Sequence, residues 1–301
     1  MWMGYEEFTE AVRERMEQET GEEGKVSFCS LKKNNGIRQD GLEIREEGSR
    51  AGTVLRMERL YGLYRERGMD HAINHIREML GRKPDPAAWD IPGDWEEVRG
   101  NIRLVPVHAD WNREMLENCP HRNLLDLAVA YRLELEHEKY RASTFIPAWF
   151  LNQWGITEQE LWETAMENLQ GEAYKTESLP EFLGTFPCPE QEGGAAGTGQ
   201  ENFCGVARLY VLTNRDMHYG AAGILRKDLL EECAGKLQGN FYILPSSVHE
   251  ILLLAERPEM EAEDLREMVR CVNREEVSRE EWLSENVYYY DREKGELEIA
   301  L

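Results

Sequence analysis

Beyond residue 206 the chain is broken into short apolar runs separated by turn signals, and this limits the fold more than any other feature of its 301 residues. Runs this short, rich in Val, Ile, Leu and Tyr, suit strands, because a helix needs about 10 residues or more to present a buried face. Strands are expected at 207–213, 221–225, 241–244, 248–254, 287–290 and 296–301, the last two joined as a hairpin across Lys294-Gly295. Amphipathic helices interrupt them at 228–237, stopped near Gly239, and again where Leu265, Met268, Val269 and Val272 share one face. Ser278 and Glu281 have capping-box spacing, with Val277 and Trp282 as the hydrophobic staple, so a further helix is expected to start there. Strands outnumber any regular β-then-α alternation, which argues against a doubly wound parallel sheet. The expected fold is α+β, with mixed or antiparallel sheets and helices packed on one side, in two or three small subdomains.

The first half follows the same logic. Tyr5, Phe8, Val12 and Met16 lie three and four apart, which puts them on one face of a helix ending near Gly21 or Gly24. Segments 26–33 and 37–45 read as strands joined by Asn34-Asn35-Gly36, whose tolerance of positive φ suits a tight hairpin. Helices are expected at 54–67 and 70–80, then strands at 102–108, 127–135 and 143–151. Thr157 and Glu160 form another capping box, with Ile156 and Leu161 as its staple. Pro84, Pro86, Pro92 and Gly93 cannot continue a helix and mark a connector. The divisions expected are 1–95 (a helix, a hairpin and a helix pair), 96–187 (a middle α+β domain), 188–202 (a Gly-rich linker) and 203–301 (a C-terminal α+β domain).

Charge narrows the partners. Lys plus Arg total 35 against 58 Asp plus Glu, a formal charge of -23, which repels phosphate backbones and anionic lipid at long range. Direct nucleic-acid and membrane binding are therefore not expected, although an acidic surface could mimic nucleic acid or dock a basic protein. The six cysteines are scattered without a C-x-x-C pair, so they read as reduced thiols and not as a zinc site. The start of the chain lacks the basic and apolar regions of a secretion signal, and no stretch reaches the about 18 apolar residues of a membrane helix. A cytoplasmic location is expected.

Chemistry-bearing clusters are few. Ser246, Ser247, His249 and Glu250 contain the residue types of a nucleophile, a base and an orienting acid, placed after Pro245 at a strand end. If 248–254 is extended, His249 and Glu250 face opposite ways, and Ser247 stands about 7 Å from His249 along the strand. No G-x-S-x-G elbow is present. The preferred reading is a turn in which the serines cap backbone groups and His249 is hydrogen-bonded at the sheet edge. Asp126, between Leu125 and Leu127, and Asn214, at a strand end, are polar residues in apolar settings and candidates for ligand contact. His71 and His75 lie four apart on a helix, but Ala72 stands where a metalloprotease carries its Glu, so no metal or other cofactor is expected. The glycines of 193–199 lack the Gly-Lys-Ser or Gly-Lys-Thr ending of a phosphate loop.

Leu209-Tyr210-Val211-Leu212-Thr213-Asn214, Tyr219-Gly220-Ala221-Ala222 and the run from Phe241-Tyr242-Ile243-Leu244-Pro245 to His249-Glu250 occur in an order that resembles the bacterial domain-of-unknown-function family 5688. Pro120 to Val129, Trp154-Gly155-Ile156-Thr157 and Ala165 to Leu169 are similar to the same family. The likeness runs from the Asn35-Gly36 hairpin to Val287-Tyr288-Tyr289-Tyr290-Asp291. The chain departs from the family pattern in its Gly-rich insertion and at Ala109-Asp110-Trp111-Asn112. The segment around Pro245 also resembles the uncharacterised YtpQ-like family. The resemblance implies a folded bacterial domain and no particular chemistry.

The functional expectation is a non-enzymatic binding or regulatory protein with an unknown protein or small ligand as partner. The rivals are a hydrolase using Ser246 or Ser247 with His249, and an acidic mimic of nucleic acid.

Overall fold

The computed structural model describes residues 2–47, 52–81, 91–137, 140–184, 209–245 and 247–300. The chain forms two compact units, one of residues 1–92 with 135–142, the other of residues 93–134 with 143–301.

In the first unit, α1 (Tyr5–Thr20) is followed by β1 (Gly24–Lys32), β2 (Arg38–Glu46), β3 (Thr53–Arg56), α2 (Met57–Arg67) and α3 (Met69–Gly81). The strands make an antiparallel sheet in the order β1-β2-β3, with Val26 opposite Ile44 and Leu42 opposite Leu55. The hairpin turns at Asn35 and Gly36, both at positive φ, as the Asn-Asn-Gly sequence predicts. Phe8, Val12 and Met16, the expected stripe of α1, are at most 1% exposed and pack with Val26, Leu42, Ile44, Leu60, Tyr64 and Ile73. Burial of each such side chain contributes about 1.5 to 3 kcal/mol, so this helix is held by its sheet rather than by its own propensity. The segment expected as a helix from residue 54 starts as a strand. Leu55 faces Leu42 across the sheet, and the helix begins only at Met57.

The second unit begins with α4 (Trp95–Val98), β4 (Ile102–His108), α5 (Arg113–Leu116), β5 (His121–Leu124), β6 (Leu127–His137) and β7 (Tyr140–Phe145), except for residues 135–142 of the last two strands, which belong to the first unit. β4 and β5 flank β6, which also pairs with β7. The strand expected over 143–151 therefore ends at Phe145. Pro147 caps α6 (Ala148–Trp154) because its fixed φ suits a helix start and it has no N–H to lose. Then come α7 (Glu158–Gly171), β8 (Tyr174–Ser178), α8 (Leu179–Phe182), β9 (Leu209–Asn214), a 3-10 turn at Gly220–Leu225, α9 (Lys227–Leu237), β10 (Phe241–Leu244), β11 (Ile251–Ala255), α10 (Ala262–Glu276), β12 (Tyr288–Asp291) and β13 (Glu296–Ile299). The last six strands form one antiparallel sheet, β13-β12-β10-β11-β9-β8. The fold is α+β. The Gly-rich 188–202 segment lies outside the described residues, as do Cys188 and Cys204.

Both faces of that sheet are covered, which explains the unbroken apolar runs. Phe241, Ile243, Ile251 and Leu253 pack with Leu230, Cys233, Ala234 and Leu237 of α9. Tyr242, Leu244 and Leu254 pack with Leu265 and Val269 of α10. Thr157 makes the expected capping box at the start of α7.

Four local expectations fail here. Residues 221–225 are a 3-10 turn, since a Cβ at Gly220 would stand 2.3 Å from Thr213 Oγ1 and 2.6 Å from the His249 carbonyl oxygen. Strand β11 starts at Ile251 and not at Val248, because Val248 N donates to Glu281 O and leaves the ladder. Ser278 and Glu281 do not start a helix. Glu281 N donates to Ser278 O in a turn, leaving the Glu281 carbonyl oxygen to accept from Val248. In α10, Met268 is 49% exposed while Asn273 is buried. Among the described residues no helix is long and apolar enough to cross a membrane.

Candidate functional site

Five connections of the second unit converge through side-chain contacts: the end of β4, the β5–β6 turn, the segment after β9, the segment between β10 and β11, and the approach to β12. Asp126 is the hub of one half. It follows Leu125 in a two-residue hairpin in which Leu124 pairs with Leu127. Its Oδ2 accepts from Ser284 Oγ at 2.6 Å and Asn286 Nδ2 at 3.0 Å, and its Oδ1 from Tyr288 OH at 2.6 Å. Ser284 Oγ in turn accepts from Asn286 N at 2.9 Å. Burial, with the adjacent carboxylate, pushes the Tyr288 hydroxyl far above its ordinary range, so it serves as a fixed donor.

His108, at the end of β4, turns Nε2 toward Asp126 Oδ2 at 3.6 Å. Its Nδ1 accepts from Trp111 N at 3.4 Å, a long bond, and its ring stacks on the Trp111 indole at 3.7 Å. Burial holds its pKa below the ordinary histidine value, and the carboxylates of Asp126, Asp110 and Glu285 offset only part of that. Trp111 reaches Trp282 with ring centroids 6.2 Å apart.

The other half is built around His249. Its Nδ1 accepts from Tyr219 N at 3.2 Å, and its Nε2 faces Glu281 Oε1 at 3.8 Å. Its ring lies beside those of His218 and Tyr219. Ser247 pairs with Trp282 in a β-bridge, and its Oγ accepts from His249 N at 3.0 Å. That is the capping geometry of a serine turn, and among the described residues neither imidazole nitrogen bonds to Ser247. Glu250 has its carboxyl pushed up by burial, against the hydrogen bond from Ser247 and the nearby His249, with Glu281 adding to the rise. Asn214 Oδ1 accepts from His218 N at 3.1 Å and its Nδ2 donates to His218 O at 2.9 Å, which pins the segment after β9. Ser246 lies outside the described residues.

Backbone strain gathers in the same place. Of the five non-glycine residues at positive φ among the described residues, Leu125, Met217 and Tyr219 belong to these connections. Bulky side chains adopt that region at a cost of about 1 to 2 kcal/mol each. Leu125 and Met217 are also among the exposed large hydrophobics.

Of the residues singled out in the sequence, Asp126, Asn214, Ser247, His249 and Glu250 all fall in this cluster, while His71 and His75 lie on α3. Sequence reading missed His108, Trp111, Ser284, Asn286 and Tyr288 as partners, since Asp126 and Tyr288 are 162 positions apart. Among the described residues no three His, Cys, Asp or Glu side chains are grouped to hold a metal ion.

No curated protein and no solved structure matches the chain. One family model does, over residues 5–292, and its description is a family of unknown function, DUF5688. With nearly the whole length covered, the chain belongs to the DUF5688 family.

Proposed function

We propose that this chain is a non-enzymatic binding or regulatory protein of the bacterial cytoplasm, which recognises a protein or small ligand through the connections around Asp126 and His249. One observation carries the reading: at both histidines Nδ1 accepts a backbone N–H and Nε2 is turned to a carboxylate. A general base needs a free ring nitrogen within hydrogen-bond reach of the proton it removes; here a backbone N–H takes the Nδ1 lone pair of each ring, and Nε2 faces a carboxylate at 3.6 Å in His108 and 3.8 Å in His249. The Asp126 carboxylate is likewise taken up by three donors. Exposed Leu125 and Met217, held at positive φ, are features of recognition, where strain is retained because a partner uses it.

The hydrolase alternative requires Ser247 to exchange its bond from the His249 backbone for one to the imidazole. The nucleic-acid mimic requires carboxylates massed on one surface, whereas on α1 and α10 they alternate with arginines, as in Arg13 between Glu10 and Glu17 and Arg270 between Glu263 and Glu267. Fluorophosphonate labelling followed by peptide mapping tests the non-catalytic reading. No adduct on Ser246 or Ser247, and no ester turnover that is lost in Ser247→Ala, is expected. An adduct at either serine together with Ser247-dependent turnover overturns it.

A further inference from the structure

Arg132 is the anomaly of the second unit. Arg103, Arg226 and Arg266 each meet a carboxylate. Arg132 meets none among the described residues within the 4.0 Å limit for an ion pair. Its Nη2 donates to Ser143 Oγ, and its Nη1 is enclosed without a hydrogen-bond partner. An enclosed guanidinium without a counter-charge is costly, since the donors give up water and gain nothing equivalent.

The neighbouring charges explain why it is left over. Arg103 is directly opposite Arg132 across β4 and β6, and it takes both nearby carboxylates: Glu172 at 3.2 Å and Glu134 at 3.7 Å. Burial pushes the Glu172 carboxyl up, toward its neutral form. With both carboxylates turned to Arg103, neither is within ion-pair distance of Arg132.

The guanidinium carbon of Arg132 lies 4.2 Å from the centroid of the Tyr219 ring. Tyr219 is itself at φ 54, and its N–H is held by His249 Nδ1. The Tyr219 ring thus covers a guanidinium with an unsatisfied donor, and an anion reaches Nη1 only when that ring swings aside. Stacking on the ring recovers part of the cation's lost solvation but leaves Nη1 without an acceptor.

We propose that Arg132 and Ser143 form a binding site for a single carboxylate, covered by Tyr219 when empty. A carboxylate matches the planar fork of the guanidinium. A phosphate dianion is disfavoured by the Glu134 carboxylate close by. The inference rests on the binding reading above and names a ligand class for its Tyr219 edge.

The test is a titration of the full chain at constant ionic strength with sodium acetate, trialanine with a free C-terminus, amidated trialanine and inorganic phosphate, followed by the amide resonances of Ser143 and Tyr219. Saturable shifts with acetate or free trialanine are expected, and none with the amide or phosphate. Saturation by acetate assigns the site to small acids, and saturation by free trialanine alone assigns it to chain termini. Arg132→Gln should weaken binding at least tenfold, and Tyr219→Ala, which removes the cover and leaves the guanidinium, should tighten it several-fold. Should Arg132→Gln fail to fold, Ser143→Ala, expected to weaken binding several-fold, takes its place. Linear shifts, equal shifts in the Arg132 and Ser143 variants, or saturation by phosphate overturn the proposal. The fluorophosphonate result is unaffected by any of these, so loss of the carboxylate site and loss of the binding reading are separate findings.

Discussion

Leu125 shows how a single residue can report on function. It takes the first position of a two-residue hairpin, at φ 55, where Gly or Asn would meet the positive φ without strain. Leu125→Asn should stabilise the protein by about 1 kcal/mol in urea denaturation. If the exposed leucine serves recognition, the same change weakens partner binding, a trade of activity for stability. A variant less stable than the parent would show that the leucine is held for packing. His108 supplies the pH dependence. Burial holds its pKa below the ordinary value of about 6.5, so the unfolded chain takes up a proton first as pH falls. The unfolded state then binds more protons, and stability drops as pH descends through about 6.5 toward the lower folded value. Below that value His108 contributes no further slope. His108→Gln should flatten that part of the stability profile, read as urea midpoints from pH 8 to 5. An unchanged slope would mean that another group titrates there.

At the scale of elements, the turn after β9 is set by close approach rather than by propensity. Gly220 lets Thr213 Oγ1 donate to the His249 carbonyl oxygen at 2.8 Å, and an added Cβ would enter the space of both. Gly220→Ala should cost about 2 to 3 kcal/mol in thermal or urea unfolding, the range of overpacking in a well-filled site. A loss within experimental error would mean that the 3-10 turn can shift outward freely. The sequence makes this segment look like a strand, since Ala, Ile and Leu follow one another. Only the carbonyl of His249, some thirty positions later, decides otherwise. The same holds at Ser278 and Glu281, whose spacing is that of a capping box while the backbone there is engaged by Val248 N. Where the partner is local, as at Thr157 and Glu160 or Asn35 and Gly36, the reading and the structure agree.

At the scale of the whole molecule, each unit has a core of its own. Phe8 is fully buried among Val12, Leu42, Tyr64 and Ile76. Phe8→Ala should cost about 3 to 5 kcal/mol. Hydrogen exchange should show the loss first in the amides of β1 and β2, with β10 and β11 less affected, because cooperative units open separately. Equal loss of protection in all four strands would mean that the chain unfolds as one unit.

The amphipathic stripe of α1, the hairpins at Asn35-Gly36 and Lys294-Gly295, the buried runs of β10 and β11 and the α+β class were all legible in the residues, because periodicity and turn chemistry act over a few positions. Asp126 and Asn214 stood out too, as polar residues among apolar ones. The partners that satisfy them did not, and neither did the backbone N–H groups that take Nδ1 of His108 and His249 nor the unsatisfied Nη1 of Arg132. The donors to Asp126 come from 158 to 162 positions away and Tyr219 reaches His249 across 30, and a hydrogen bond needs its two atoms placed to within a few tenths of an ångström, which only the packed sheets supply.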